Sequence, residues 1–284
     1  MIQVENLSYS YTNDDNYAVK DISFQVQEGE IFGFLGPSGA GKSTTQGVLT
    51  GLLPLKHGQV TVAGYDLKKA NRSMFNAIGV SFEQSNVYGK LTALENLDFY
   101  RKLFDVDTMD PELLLKMVGL DHVKNKRAAT FSKGMKHRLT FARSMVNHPS
   151  LWFLDEPTTG LDPAIAGTIK ELIKEKNKEG TTAFLTTHNM YIADELCHRV
   201  AFIVDGEIKA LDSPRNLKLQ YGNKKVEVEY LEKGSTHKAL FHLDIEQDRL
   251  ALNEIILTKD IEMMHTKEAT LEEIFIEITG RALL

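Results

Sequence analysis

Cysteine occurs once in the 284 residues, at Cys197. A single thiol cannot close an internal disulfide, so the fold has to rest on packing, and Cys197 reads as a small buried residue without a chemical role. No apolar run approaches the eighteen or so residues needed to cross a bilayer. Basic residues are not in excess either. Against 39 Asp and Glu there are 33 Lys and Arg, a formal charge of −6, which excludes the broad positive face of a nucleic-acid binder. The opening M-I-Q-V-E-N-L carries neither a charged nor a long hydrophobic export signal, so a cytoplasmic chain is expected. Internal repeats and low-complexity segments are missing. The length suits one large domain with a small one attached.

What the chain does have is a phosphate cradle. Residues 36 to 43 read G-P-S-G-A-G-K-S and fit G-x-x-x-x-G-K-[ST]. Gly36 and Gly41, with Gly39, are expected to take backbone angles closed to other residues, so that successive N–H groups turn inward on one anion. Lys42 then reaches the β- and γ-phosphates of a nucleotide and Ser43 offers its hydroxyl to Mg2+. The helix that starts here points its positive end at the same charge. E-I-F-G-F-L before the loop suits a buried strand, and T-T-Q-G-V-L-T-G after it a short helix capped by Gly51. The competing reading, a chance glycine-rich turn, lacks that context.

Residues 2–9 and 18–26 alternate as an antiparallel pair of strands, joined through Asn13, Asp14, Asp15 and Asn16. Tyr11 ends the first strand, where its ring either stacks on a nucleotide base or is an ordinary surface tyrosine. Strands are expected over 58–67 and 77–82, with Glu83 and Gln84 directly after the second. From Leu91 to Val118 the pattern is helical, with a fresh start after Asp110-Pro111, so a helical insertion spans about 84–148. Within it, F-S-K-G-M-K-H-R-L-T-F-A-R-S-M-V-N-H-P opens on a cap at Ser132, carries one apolar stripe and stops before Pro149. Periodicity alone gives that helix a packing role.

L-W-F-L-D-E-P (151–157) is an apolar strand that delivers Asp155 and Glu156 at its C-terminal end, where ligands sit in parallel sheets. Two such acids are either solvated or chemical. Phosphoryl transfer needs a carboxylate to hold a metal and a group to orient water, and the pair fits those needs. Gly160-Leu161-Asp162-Pro163 then turns into a helix over 164–178, and a β-branched strand (181–187) leads to His188. A lone histidine at a strand end is ordinarily structural. A hairpin over 199–209 turns at Asp205-Gly206. From about 221 the composition shifts: K-K-V-E-V-E-Y alternates as a half-exposed strand. T-L-E-E-I-F-I-E-I-T-G-R opens on a capping box, Thr270 to Glu273, and sets Leu271, Ile274, Phe275 and Ile278 on one face.

The phosphate loop, the F-S-K-G-M helix and the L-D-E-P strand, in that order, resemble the ATPase subunit of ABC transporters over residues 1 to about 215. The resemblance implies an α/β fold: a P-loop NTPase core with a mixed sheet, flanking helices, an antiparallel β subdomain and a helical subdomain. This ATP-binding domain would occupy residues 1–220, with a small α+β accessory domain over 221–284. ATP and Mg2+ are the implied ligands. Nucleotide would be held by the aromatic Tyr11 and by Gly36, Pro37, Ser38, Gly39, Ala40, Gly41, Lys42, Ser43 and Thr44. From a second subunit would come Ser132 and Gly134 of the signature and Asp162. Mg2+ would be met by Ser43, Asp155 and either Glu83 or Gln84, and turnover would fall to Glu156, His188 and Lys42. The family also implies a head-to-tail homodimer, or a heterodimer with a similar ATPase subunit, on separate transmembrane permease subunits. That places the chain peripherally at the cytoplasmic face of the membrane, with no nucleic-acid partner.

Two departures stand out. Lys133 and Met135 replace two residues of the commonest signature, L-S-G-G-Q. This variation resembles the drug, lipid and polysaccharide exporter branch, as does the C-terminal L-E-E-I-F-I-E-I-T-G-R. Counting back from Leu91-Thr92, the family glutamine falls on Glu83, with Gln84 one place later. The expected function is therefore the ATP-hydrolysing subunit of an exporter. The alternatives are a soluble ABC-type ATPase of translation or DNA repair, whose usual second domain or coiled-coil insertion is not seen here, and a small-molecule kinase sharing the phosphate loop.

Overall fold

The computed structural model describes residues 1–12, 16–222, 224–232 and 234–281. Most of the connection read at 13–16 lies outside the described residues. Backbone contacts divide the chain into two units, Met1–Leu211 and a second starting at Asp212.

The first unit begins with β1 (Ile2–Tyr9) and β2 (Val19–Val26), paired antiparallel with Ile2 opposite Val26. Inward-facing residues alternate along both strands except at one irregularity in each, where Asn6 and Asp21 have positive φ. β3 (Ile31–Leu35) is buried along its whole length and runs into the phosphate loop and α1 (Lys42–Leu49). β4 (His57–Val62), β5 (Tyr65–Asp66), α2 (Arg72–Ala77) and β6 (Ile78–Ser81) follow. The stretch read as continuously helical from Leu91 is instead two helices, α3 (Ala93–Arg101) and α4 (Pro111–Met117). The acidic segment between them is tied elsewhere, by a bond from the Met109 N–H to the Val146 carbonyl at 2.8 Å, and Asp110 caps the second helix. Then come α5 (Lys133–Arg143), β7 (Leu151–Asp155), α6 (Pro163–Lys178), β8 (Thr182–Thr187), α7 (Met190–Leu196), β9 (Arg199–Val204) and β10 (Glu207–Asp212). Asp205 and Gly206 both have positive φ, 52° and 82°, the turn that suits a tight hairpin.

Two sheets result, one in the order β2-β1-β4-β5 and the other β10-β9-β3-β8-β7-β6. β6, β7, β8, β3 and β9 are parallel neighbours. Strands covered on both sides read as unbroken apolar runs, which accounts for I-F-G-F-L and L-W-F-L. Between the sheets lies an aromatic core: Phe24 of β2 stacks on Phe32 of β3, with ring centres 5.5 Å apart and planes 5° apart, and both meet Phe184 of β8. This core fixes β3, β7 and β8 side by side, so the residues after their C-terminal ends share one edge.

In the second unit, α8 (Pro214–Tyr221) is followed by β11 (Lys225–Glu232), β12 (Ser235–His242), α9 (Glu246–Thr258), β13 (Asp260–Lys267) and α10 (Leu271–Thr279). The sheet order is β12-β11-β13. Leu252 of α9 closes a small core with Val226, Val228 and Phe241. α10 has the capping box read at Thr270 and Glu273 and packs on α8. That packing puts the division at Leu211/Asp212 rather than 220/221, because α8 belongs with α10.

Candidate active site

The phosphate loop joins β3 to α1. Gly41 is the N-cap of α1 with φ 110°, and an added Cβ would lie 2.7 Å from the Ala18 carbonyl oxygen. Gly39 also has positive φ, 79°. Gly36 does not, contrary to the sequence reading. It is needed because a Cβ there would fall 2.2 Å from the Ile203 carbonyl oxygen. No side chain caps the first turn of α1, which leaves its N–H groups to an anion.

Lys42 folds over the loop and donates from Nζ to the carbonyls of Gly36 (2.6 Å) and Pro37 (2.9 Å). Burial holds this ammonium below its usual range, while Glu156, Asp155 and Glu83 pull the other way. Ser43 is exposed beside it. Tyr11, 63% exposed, lies within 3.0 Å of the Thr44 hydroxyl through its phenol and packs edge-on against Tyr9. Tyr11 and the loop therefore stand next to each other.

The acids arrive from β7. Thr186, its neighbour on β8, donates its hydroxyl to Asp155 Oδ1 at 2.5 Å. Burial is the main influence on the Asp155 carboxyl and raises its pKa; a bond from the Glu83 backbone N–H opposes that. Glu156 is 6% exposed and has φ 46°. Its Oε2 accepts the hydroxyls of Thr159 and Thr187, both at 2.9 Å, and its Oε1 accepts the His188 backbone N–H at 2.9 Å. His188 Nδ1 lies 2.6 Å from the same Oε1. Lys42, Asp155, Glu156, His188 and Glu83 thus converge at one edge of the parallel sheet. Sequence reasoning missed Thr159, Thr186 and Thr187. The signal was the hydroxyl run P-T-T and T-T-H next to the acids, which reads equally as β-branched strand.

A second group gathers around α5. Ser132 is its N-cap and accepts the Met135 N–H at 3.2 Å. Asp162 caps α6, accepting the Ile165 N–H at 3.1 Å. Gly134 faces Leu161 and Gly160. A cavity of about 440 Å³ is lined by Glu83, Gln84, Lys133, Gly134, His137 and Thr159, among others. Glu83 thus reaches both groups, and Gln84 lines this cavity. Among the described residues no hydrogen bond or ion pair joins Ser132 or Gly134 to the phosphate loop.

The family model described as ABC transporter matches residues 19–159. A fluoroquinolones export ATP-binding protein of Mycobacterium tuberculosis is 47% identical over 284 residues, with 100% of this chain and 94% of that protein aligned. A linearmycin resistance ATP-binding protein of Bacillus subtilis is 31% identical over 314 residues, covering 100% and 99%. Among solved structures, an ATP-binding subunit of an ABC transporter matches with a TM-score of 0.72 and 27% identity over 78% of this chain and 93% of its own. A dimeric ATP-binding cassette in a post-hydrolysis state, bound to ADP and Pi, matches with a TM-score of 0.68 and 26% identity over 75% and 98%.

Proposed function

Because this chain belongs to the ABC transporter family of ATP-binding subunits, we propose that it binds and hydrolyses ATP to drive export through separate permease chains. The convergence of Lys42, Asp155, Glu156 and His188 at the ends of β3, β7 and β8 carries this reading. Lys42 makes no ion pair among the described residues, so its charge is available to phosphate oxygens. The uncapped first turn of α1 supplies N–H donors to the same phosphates. Tyr11 offers its exposed ring to the base.

The residues present fit Mg2+. The Ser43 hydroxyl and the half-buried Asp155 carboxylate are hard oxygen donors of the kind this ion takes, and we assign Glu83, whose charge acts on both Lys42 and Asp155, to the position beside them rather than Gln84. An Mg2+ held by these residues would supply charge neutralisation for the nucleotide phosphates. Glu156, placed next to Asp155, orients and polarises the attacking water, and His188 reaches from the same edge to the γ-phosphate.

No helix among the described residues is long and apolar enough to cross a membrane, so transport requires membrane-spanning partners. We assign their contact to an apolar groove lined by Leu52, Phe75, Phe82, Tyr100 and Phe104. Phe82 and Asn86 of that groove bracket Glu83, so a permease segment seated there touches the stretch that carries Glu83. Export of a drug-like compound is the class suggested by the names of the Mycobacterium and Bacillus relatives.

Two variants test the chemistry. Glu156→Gln keeps ATP binding and loses about two to four orders of magnitude in turnover, the usual contribution of a positioned acid–base group. Lys42→Ala weakens nucleotide binding itself. Hydrolysis near the wild-type rate in Glu156→Gln would remove that residue from the role. Purification with the native membrane partner, followed by identification of the copurifying chain, tests the transport assignment.

A further inference from the structure

The Glu156 carboxylate already has four donors around it. A carboxylate oxygen offers about two acceptor sites. Oε2 spends both on threonine hydroxyls, Thr159 and Thr187, at 2.9 Å each. Oε1 takes the backbone N–H of His188 at 2.9 Å and faces the ring Nδ1 at 2.6 Å. These donors differ in kind. Thr187 is 1% exposed and, with the His188 N–H, is fixed by the end of β8. The His188 side chain is 56% exposed and can turn away by side-chain rotation alone. The backbone of Glu156 is held just as firmly. Its N–H donates to the Thr186 carbonyl at 2.9 Å and its carbonyl accepts the Thr159 N–H at 3.1 Å, which keeps a glutamate in the left-handed region at φ 46°. Such a conformation persists only where the surroundings over-determine it.

We propose that Thr159 and Thr187 are positioning residues for hydrolysis: by filling Oε2 they fix the carboxylate plane and leave Oε1 as the oxygen that meets the attacking water. The water enters where the His188 ring now sits. While the ring stays, Glu156 has no vacant acceptor, and the site idles. When the ring turns to the phosphate, Oε1 keeps its backbone donor and gains one open direction, so the water is held in a single orientation. Without the two hydroxyls the carboxylate can rotate and present either oxygen. The proposal rests on Glu156 as the water-polarising group.

Steady-state hydrolysis and ATP binding of Thr159→Val, Thr187→Val and the corresponding serine variants test this. The Thr187 hydroxyl also accepts the Asn189 N–H at 3.0 Å, so Thr159→Val is the cleaner change, and thermal melts check that each variant is folded. Each valine is expected to lower kcat about ten-fold, the value of one hydrogen bond to a charged group, with KM unchanged. Serine at either position restores the rate. In a Glu156→Gln background, single-turnover measurement shows no further loss on adding Thr159→Val. Unchanged kcat in Thr159→Val, beside a Glu156→Gln protein that has lost turnover, overturns the proposal. So does an equal loss from Thr159→Val in the Glu156→Gln background, because the threonine then acts through something else. If Glu156→Gln itself hydrolyses ATP at the wild-type rate, the underlying role of Glu156 fails, which is a different result.

Discussion

At the scale of single residues, the phosphate loop shows two separate reasons for glycine, and they predict different outcomes. Gly36→Ala places a Cβ 2.2 Å from the Ile203 carbonyl oxygen, so β9 or the loop must move. A cost of about 1–3 kcal/mol or more, with loss of ATP binding, is expected. Gly39→Ala meets nothing within 4 Å and pays only for a left-handed backbone, about 1–2 kcal/mol. Melting temperature and nucleotide affinity of the two variants separate the cases, with Gly36→Ala the worse in both. The motif itself was plain in the sequence, because a run of glycines ending in Lys-Ser has few other uses. The reason for Gly36 was not, since the opposing carbonyl lies far along the chain. Thr159 and Thr187 were illegible for a related cause. A hydroxyl that grips a carboxylate and a threonine chosen for β-propensity are the same letter.

Among the elements, the strands around the site were readable from composition, since β3 and β7 are buried on both faces and read as apolar runs, and β8, also buried, is rich in β-branched residues. The helical insertion was less so. Apolar spacing ran on past Arg101, and the tie from Met109 to Val146 between the two helices is invisible in a linear pattern. α5 illustrates what periodicity conceals. Its stripe was correct, yet His137 also points inward. It is 4% exposed and neither ring nitrogen has a hydrogen-bond partner among the described residues, and burial, aided by Lys133, holds its pKa below the usual value. The unfolded chain therefore binds the proton more readily than the folded one. Stability from neutral His137 is present above the ordinary histidine value of about 6.5 and is lost as pH falls through and below it. His137→Leu should shrink the fall in melting temperature between pH 7.5 and pH 5.5. An undiminished fall would show that other groups set the acid sensitivity.

For the whole molecule, the expected P-loop NTPase fold with its mixed and antiparallel sheets is the one found. A dimeric cassette is among the similar solved structures, and we propose that α5 of one subunit and the phosphate loop of another meet on one ATP. Glu156→Gln with ATP and Mg2+ should sediment as a dimer, and adding Ser132→Arg should return it to monomer by blocking the N-terminus of α5. A Glu156→Gln protein that stays monomeric at high ATP would defeat the head-to-tail arrangement for this subunit alone. The role of the C-terminal residues was only partly legible. Compositional change marks the sheet, but α8 precedes it, and its place with α10 is set by packing. Truncation after Tyr221 would leave Leu217, 2% exposed in the intact chain, without its α10 neighbours. Truncation after Leu211 is the cleaner cut. We expect the shortened Glu156→Gln protein to bind ATP but dimerise less readily. Equal dimerisation at all concentrations would leave the second unit without a part in assembly.

Cys197 sits at the end of α7, where a Cβ on Gly33 would meet its sulfur at 2.8 Å, and burial pushes its thiol pKa well above the ordinary range. Thiol reagents act on the thiolate, so the folded chain is expected to label slowly with maleimides even though its native cysteine remains. A cysteine introduced at Glu171, on the exposed side of α6, would be the sole reactive sulfur in each subunit. Labelled there with a dye or spin label, two copies would report their separation as ATP is added and consumed, with no prior removal of the native residue.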